Sequence, residues 1–274
     1  MYRPFTKKWL YYDPQIIENG KGLGSLFKID NLSIILPGTG TRRKFSSFIT
    51  KNIPDLNIFD GGTQIFFESN VDDHLMSSTS NIMDVQKKFG FSDETIIYYI
   101  YAILHSTEYR IKYANDLKKG IPRIPILSNM DKFIEIGQKL VDLHINYETQ
   151  KPWPTVKLHV TGNDFKVKKM RHPKRKNDYN NLVDDLSQII FNHDITITNI
   201  PETAYQYIVN GTSAIEWIIG QYQVSTDKNS GITDDPNDFS DDPKYILNLL
   251  LSVITVSMRT LELIDELPPF EATV

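Results

Sequence analysis

The sequence predicts a mixed α+β protein: a helical core with short antiparallel strands and hairpins bearing basic loops. Short apolar runs broken by Gly, Pro and Asn turns fill the first 90 residues. Apolar residues then recur at helical spacing as far as residue 148. An alternating stretch around Gly162-Asn163 leads directly into a dense run of cations. The division expected along the 274 residues is β-rich 1–90, helical 92–148, hairpin and basic loop 154–200, and helical 201–268, within one domain.

Leu32 to Leu36 is a short apolar run, Pro37-Gly38-Thr39-Gly40 a turn, and Gln64 to Glu68 a further strand after Asp60-Gly61-Gly62. Ser92 is an N-cap followed by Asp93 and Glu94 in a first helical turn, and Ile96 to Leu104 is apolar on every side, the pattern of a buried helix. Ser106 caps a second helix, from Tyr109 to Lys119, which stops at Gly120 before Ile121-Pro122. Phe133, Ile136, Leu140, Leu143, His144 and Tyr147 recur at three- and four-residue spacing, so 128–147 is one amphipathic helix with His144 as a hydrogen-bonded core residue. Residues 155–169 alternate as two strands around Gly162-Asn163, and Ile195 to Ile200 is another strand. Two short helices split at Asn210-Gly211 follow. The polar loop 225–242 is the most linker-like segment, and a last helix starts at Asp242-Pro243 and runs to about Leu267.

Hydrophobic residues make up 40% of the chain, ample for a core, and the formal net charge is −4. A nucleic-acid-binding face must therefore be local. There is no cysteine, which removes thiolate chemistry and cysteine-based zinc sites and is compatible with the cytoplasm. The uninterrupted apolar runs are far shorter than a membrane span, and Met1 is followed by Tyr2-Arg3-Pro4-Phe5 rather than a signal-peptide core. The glycines of Gly20-Lys21-Gly22-Leu23-Gly24-Ser25 and Gly38-Thr39-Gly40-Thr41 lack Walker spacing and read as turns. The six histidines show no His-x-x-x-His pair. Ser77-Ser78-Thr79-Ser80 lacks a nucleophile elbow, and Asn/Asp-Pro-Pro-Tyr/Phe is absent. Pro54-Asp55 with Glu68 resembles part of a metal-nuclease site, but residue 70 is Asn where such a site uses Lys. No catalytic motif or metal site is expected in this chain.

Two basic stretches stand out against the acidic background: Thr41-Arg42-Arg43-Lys44, and residues 166–176, where seven of eleven are Lys or Arg. Charge this concentrated fits either a solvated turn or a polyanion contact.

Several phrases, in consistent order from residue 2 to beyond 240, resemble the C-terminal target-recognition domain of Type ISP single-chain restriction–modification enzymes. They include Lys8-Trp9-Leu10-Tyr11-Tyr12-Asp13, Ile53-Pro54-Asp55-Leu56, Tyr98-Tyr99-Ile100-Tyr101-Ala102-Ile103-Leu104-His105-Ser106, and Tyr113-Ala114-Asn115-Asp116-Leu117-Lys118-Lys119-Gly120-Ile121-Pro122. Later ones are Pro201-Glu202-Thr203-Ala204-Tyr205, Ser213-Ala214-Ile215-Glu216-Trp217 and Asp234-Asp235-Pro236-Asn237-Asp238. The resemblance implies a portion of a larger polypeptide, with Met1 a start placed inside it and the nuclease, ATP-driven translocase and adenine amino methyltransferase upstream. S-adenosylmethionine, ATP and Mg would serve those domains, with none required by this chain.

Under that resemblance the function is sequence-specific recognition of double-stranded DNA. Lys166, Lys168, Lys169, Arg171, Lys174, Arg175 and Lys176 would mainly neutralise phosphates, with Lys44 beside Arg42 and Arg43 in the first basic stretch. Arg42, Arg43 and Gln64 are candidates for the major groove, where Arg pairs with guanine and Gln with adenine. The rival reading is a docking module that positions the methyltransferase domain of the same polypeptide without reading bases. Trp9, Leu10 and Tyr11 fit such an interface.

Overall fold

A computed structural model describes residues 1–11, 13, 15, 32–59, 62–67 and 90–271. The glycines at 20–24, Glu68, Asn70 and the serines at 77–80 lie outside them, as does most of the stretch from 68 to 90. The chain falls into two compact units, one of Met1–Ile145, Val209–Gly211 and Glu262–Val274, the other of Asn146–Ile208 and Thr212–Leu261.

The first unit opens on an antiparallel sheet ordered β2-β1-β3, with β1 at Ser33–Pro37, β2 at Phe48–Thr50 and β3 at Thr63–Phe67. Every residue of β1 and β2 is buried, and the apolar run from Leu32 to Leu36 supplies β1, the central strand. Helix α1, Asp93–His105, begins as expected: Ser92 accepts a hydrogen bond from the Thr95 amide, and Asp93 and Glu94 complement the positive end of the helix dipole. Ser106 then caps α2, Thr107–Lys112. This helix is shorter than the run to Lys119 expected from sequence, and residues 113–119 form successive turns. Asn115 and Asp116 are poor helix formers, and the turns bury Leu117.

Helix α3, Met130–Ile145, follows its three- and four-residue pattern, burying Phe133, Ile136, Leu140 and His144. It lies so close to α1 that a Cβ at Gly137 would stand 1.9 Å from the Tyr98 carbonyl oxygen. The His144 ring is in the core as expected, with Nδ1 2.6 Å from the Tyr101 hydroxyl.

The second unit corrects the hairpin expected around Gly162-Asn163. β4, Lys157–Val160, pairs instead with β8, Ile195–Thr198, which also pairs with β7, Ile189–Ile190. Gly162 is packed against Asp194, whose carboxylate accepts from the Asp164 amide, and this directs the chain away from β4 into the basic segment. The true hairpin comes later, between β5, Lys174–Lys176, and β6, Leu182–Asp184.

Around Asn210-Gly211 the expected two helices are a 3₁₀ turn at Glu202–Gln206 and α4 at Ala214–Gln221, separated by the short strands β9 at Ile208–Val209 and β10 at Thr212–Ser213. Both Asn210 and Gly211 have positive φ, which a helix cannot accommodate. The linker-like stretch 225–242 is folded: it contains the β11–β12 ribbon, Ser225–Thr226 with Thr233–Asp234, and a 3₁₀ turn at Pro236–Phe239.

Helix α5, Tyr245–Asp265, starts three residues after Asp242, whose side chain accepts from the Lys244 amide. Its 21 residues are long and apolar enough to cross a membrane, contrary to the expectation from uninterrupted runs, because single Ser and Thr residues break the run without ending the helix. Two thirds of its most apolar window is nevertheless buried inside the protein. Ser252 and Thr255 are satisfied by the Tyr147 and Lys151 carbonyls, at 2.6 and 2.7 Å.

Candidate nucleic-acid interface

The basic segment of the second unit is held by its backbone, leaving its charges outward. Val167 and Met170 are buried, while Lys166, Lys168, Lys169 and Arg171 between and beside them are exposed. The Asn237 side chain grips Val167 from both sides, accepting from its amide at 2.9 Å and donating to its carbonyl at 2.8 Å. The Val224 amide donates to the Lys168 carbonyl, and Arg171 exchanges two backbone hydrogen bonds with Ile190. Asn192 donates to the carbonyls of Asp164 and Lys166.

This arrangement lines one open concavity of about 900 Å³ with Lys166, Lys168, Lys169 and Arg171, joined by His193 and Thr196. None of those four cations forms an ion pair among the described residues. The acids on the wall are Asp164, which accepts from the Lys166 amide, and Asp235, which accepts from Asn237. Both carboxylates are therefore turned to capping the backbone. The four cations outnumber the two carboxylates on the wall, and such an excess of like charge around a concave surface favours an anionic partner.

The β5–β6 hairpin leaves the end of this segment. His172 at its root is buried, its side chain 8% exposed, with Nδ1 2.8 Å from the Gln188 carbonyl and Nε2 2.9 Å from the Glu216 carboxylate. Burial disfavours the imidazolium, but the Glu216 hydrogen bond and the Gln188 carbonyl outweigh it and raise the pKa above the usual histidine value. On β5, Lys174 pairs with Asp184 at 2.9 Å and Arg175 with Glu202 at 2.8 Å. These pairs are solvent-exposed and weak enough for a phosphate to compete for either cation. Lys176 is exposed and makes no ion pair among the described residues.

The remaining candidates lie in the first unit. Arg42, Arg43 and Lys44 are exposed on the connection from β1 to β2, where the Arg43 amide donates to the Thr41 hydroxyl. The Arg43 stem lies over Gly211, where an added Cβ would meet Arg43 Cδ at 2.9 Å. Gln64 on β3 is half-buried and donates from Nε2 to the Pro37 carbonyl, committing one of its amide protons to the fold. Asp55 accepts from the Asn57 amide and lies 3.8 Å from Arg3. Among the described residues no group of His, Asp and Glu is arranged to hold a metal ion.

Sequence reasoning did not find Asn192, His193, Val224 and Asn237. They lie 16 or more residues from the basic run, and short-range spacing carries no signal of that proximity.

Comparison with known proteins adds to this geometry. The family model described as the Type ISP C-terminal specificity domain matches residues 1–249. A solved nuclease-deletion mutant of the Type ISP restriction-modification enzyme LlaGI, in complex with a DNA substrate mimic, is 49% identical, with a TM-score of 0.84; the match covers all of this chain and 21% of that one. The ATP-dependent Type ISP restriction-modification enzyme LlaBIII bound to DNA is 47% identical, with a TM-score of 0.87, over all of this chain and 18% of that one. A DrdV–DNA complex matches at 26% identity and a TM-score of 0.78, over 97% of this chain and 28% of that one. The chain thus spans about a fifth of the two Type ISP enzymes. No curated protein matches it.

Proposed function

This chain belongs to the Type ISP C-terminal specificity domain family, and from that premise we propose that it recognises a target sequence in double-stranded DNA. The observation that carries the reading is the set of four cations, Lys166, Lys168, Lys169 and Arg171, around one concavity, on a segment held by bonds to its backbone. Lysines and arginines presented in this way bind phosphates and fix a duplex in register, with base edges read by neighbouring groups. Lys174, Arg175 and Lys176 extend the cationic surface along the hairpin. Arg42, Arg43, Lys44 and Gln64 are a second candidate set, on the other unit. The DNA in the LlaGI and LlaBIII structures is consistent with a duplex partner.

In the parent polypeptide this domain selects the site at which an adenine amino methyltransferase acts, using S-adenosylmethionine, and to which an ATP- and Mg-dependent translocase–nuclease responds. Those activities reside in the rest of the parent. A docking role is favoured by a separate observation: Trp9, Leu10 and Tyr11 are exposed in succession. They are suited to packing against the methyltransferase domain, and reading and docking then occupy different residues of one chain.

Selection from a randomised duplex library, at low and near-physiological salt, tests the reading. Retention of an enriched motif is expected. Salt-sensitive retention without a motif would reduce the domain to a phosphate clamp, and no retention would leave docking as its role.

A further inference from the structure

The tip of the β5–β6 hairpin has a chemistry different from its stem. The stem carries Lys174, Arg175 and Lys176, whereas the connecting residues are Asn177, Asp178, Tyr179, Asn180 and Asn181. The loop is rigidly built. The Asn177 amide donates to the Asn181 carbonyl at 3.0 Å, and the Asn180 amide to the Asn177 carbonyl at 2.9 Å. Asn177 Oδ1 accepts from both the Tyr179 and Asn181 amides. Asn180 takes the left-handed conformation that closes the turn, with φ of +60°. At the root, the Asp185 amide donates to the Pro173 carbonyl at 2.8 Å, and His172 is fixed between Gln188 and Glu216.

On this fixed support Tyr179 is 85% exposed and Leu182 is 70% exposed, with Asp178, Asn180 and Asn181 also in solvent. The amides of Asn180 and Asn181 and the Asp178 carboxylate make no side-chain hydrogen bond among the described residues. A phosphate clamp would place cations at the tip, where an aspartate repels phosphate. Amides, a carboxylate and apolar atoms are instead the groups that read base edges: Asn pairs with adenine, Asp accepts from cytosine, and apolar side chains contact the thymine methyl. A two-stranded ribbon of this width fits the major groove.

We propose that the hairpin tip is the specificity-determining element of the domain, entering the major groove so that Asp178, Asn180 and Asn181 read base edges and Tyr179 packs against the bases, while the cationic stem rests on the flanking phosphates. The inference rests on the DNA-recognition reading and assigns to it a site outside the basic residues. Preorganisation by the Asn177 bonds lowers the ordering cost of presenting these groups to a base pair.

The test repeats the duplex-library selection with Tyr179→Ala, Asn181→Ala and Asp178→Ala, beside Lys168→Gln/Lys169→Gln/Arg171→Gln. Asp178, Tyr179 and Asn181 are all exposed, and circular dichroism confirms that the variants fold. Each tip variant should lose roughly 10-fold in affinity for the wild-type motif and relax its preference at one or two base pairs, with binding to unselected duplex unchanged. The charge-neutralised variant should lose affinity for all duplexes alike. Replacing motif purines with 7-deaza analogues, which removes major-groove N7 acceptors, should weaken wild-type binding at the positions that Asn181→Ala relaxes. Tip variants that select the wild-type motif at full strength would overturn the inference and leave DNA recognition standing. A wild-type chain that enriches no motif would overturn both.

Discussion

His172 couples the root of the basic hairpin to pH. Its folded pKa lies above the unfolded value near 6.5, so protonation favours the folded state. That contribution is complete below the unfolded pKa and is lost as pH rises through the folded one. The difference in melting temperature between wild type and His172→Gln should therefore shrink as pH rises above the unfolded value near 6.5, by a few degrees for each kcal/mol involved. A difference that stays constant over that range would show that the ring acts by packing alone. The core histidines have the opposite sign. Burial, the Arg110 charge and His144 push His105 well below the usual range, and burial alone lowers His144 to about 3. Their stability is present above about 6.5 and drains away as pH falls toward the folded values, because the unfolded state takes up protons that the core excludes. His144 was legible as a core residue from its place on an apolar stripe. His172 was not, since its partners Gln188 and Glu216 are 16 and 44 residues away.

At the level of elements, close approach and backbone clamping do most to fix the fold. Gly137 allows α3 to lie against α1, and the obstacle to a larger side chain is backbone, the Tyr98 carbonyl at 1.9 Å from a built Cβ. Gly137→Ala should destabilise the first unit by about 1–3 kcal/mol despite its higher helix propensity, seen as a lower urea midpoint. Asn237 plays a comparable part in the second unit. Asn237→Ala removes two hydrogen bonds from the Val167 backbone and should cost about 1–3 kcal/mol in urea denaturation. It should also weaken duplex binding, because the cations on either side of Val167 lose their fixed spacing; unchanged affinity would show that a mobile basic segment serves equally well. The helix with a cap, α1, and the helix with a strong period, α3, were readable to within two residues at each end. The 162–163 hairpin was misread because Gly-Asn between alternating residues signals a turn without naming the strand that the chain pairs with, and Asp194 makes that choice.

For the whole molecule, the formal charge of −4 means that binding to DNA depends on local concentration of charge rather than on bulk attraction. With four to five phosphates neutralised by Lys166, Lys168, Lys169, Arg171 and Lys176, affinity should fall by about 150- to 500-fold between 50 and 200 mM salt. Neutralising one of these residues should reduce the slope of log affinity against log salt by about 0.9. A slope near zero in fluorescence anisotropy would remove the phosphate role from the concavity. The sequence by itself determined the α+β class, the capped helices, the location of the basic charge and, through phrases spread along the chain, the family. These are properties of local propensity and of order along the chain, which a single sequence displays directly. Only the tertiary structure decided that β4 pairs with β8, that Asn237 and Asn192 hold the basic segment open, and that a tip without cations stands on a cationic stem. Each of those depends on contacts between residues distant in the chain, whose free energy is realised only when the core brings them together.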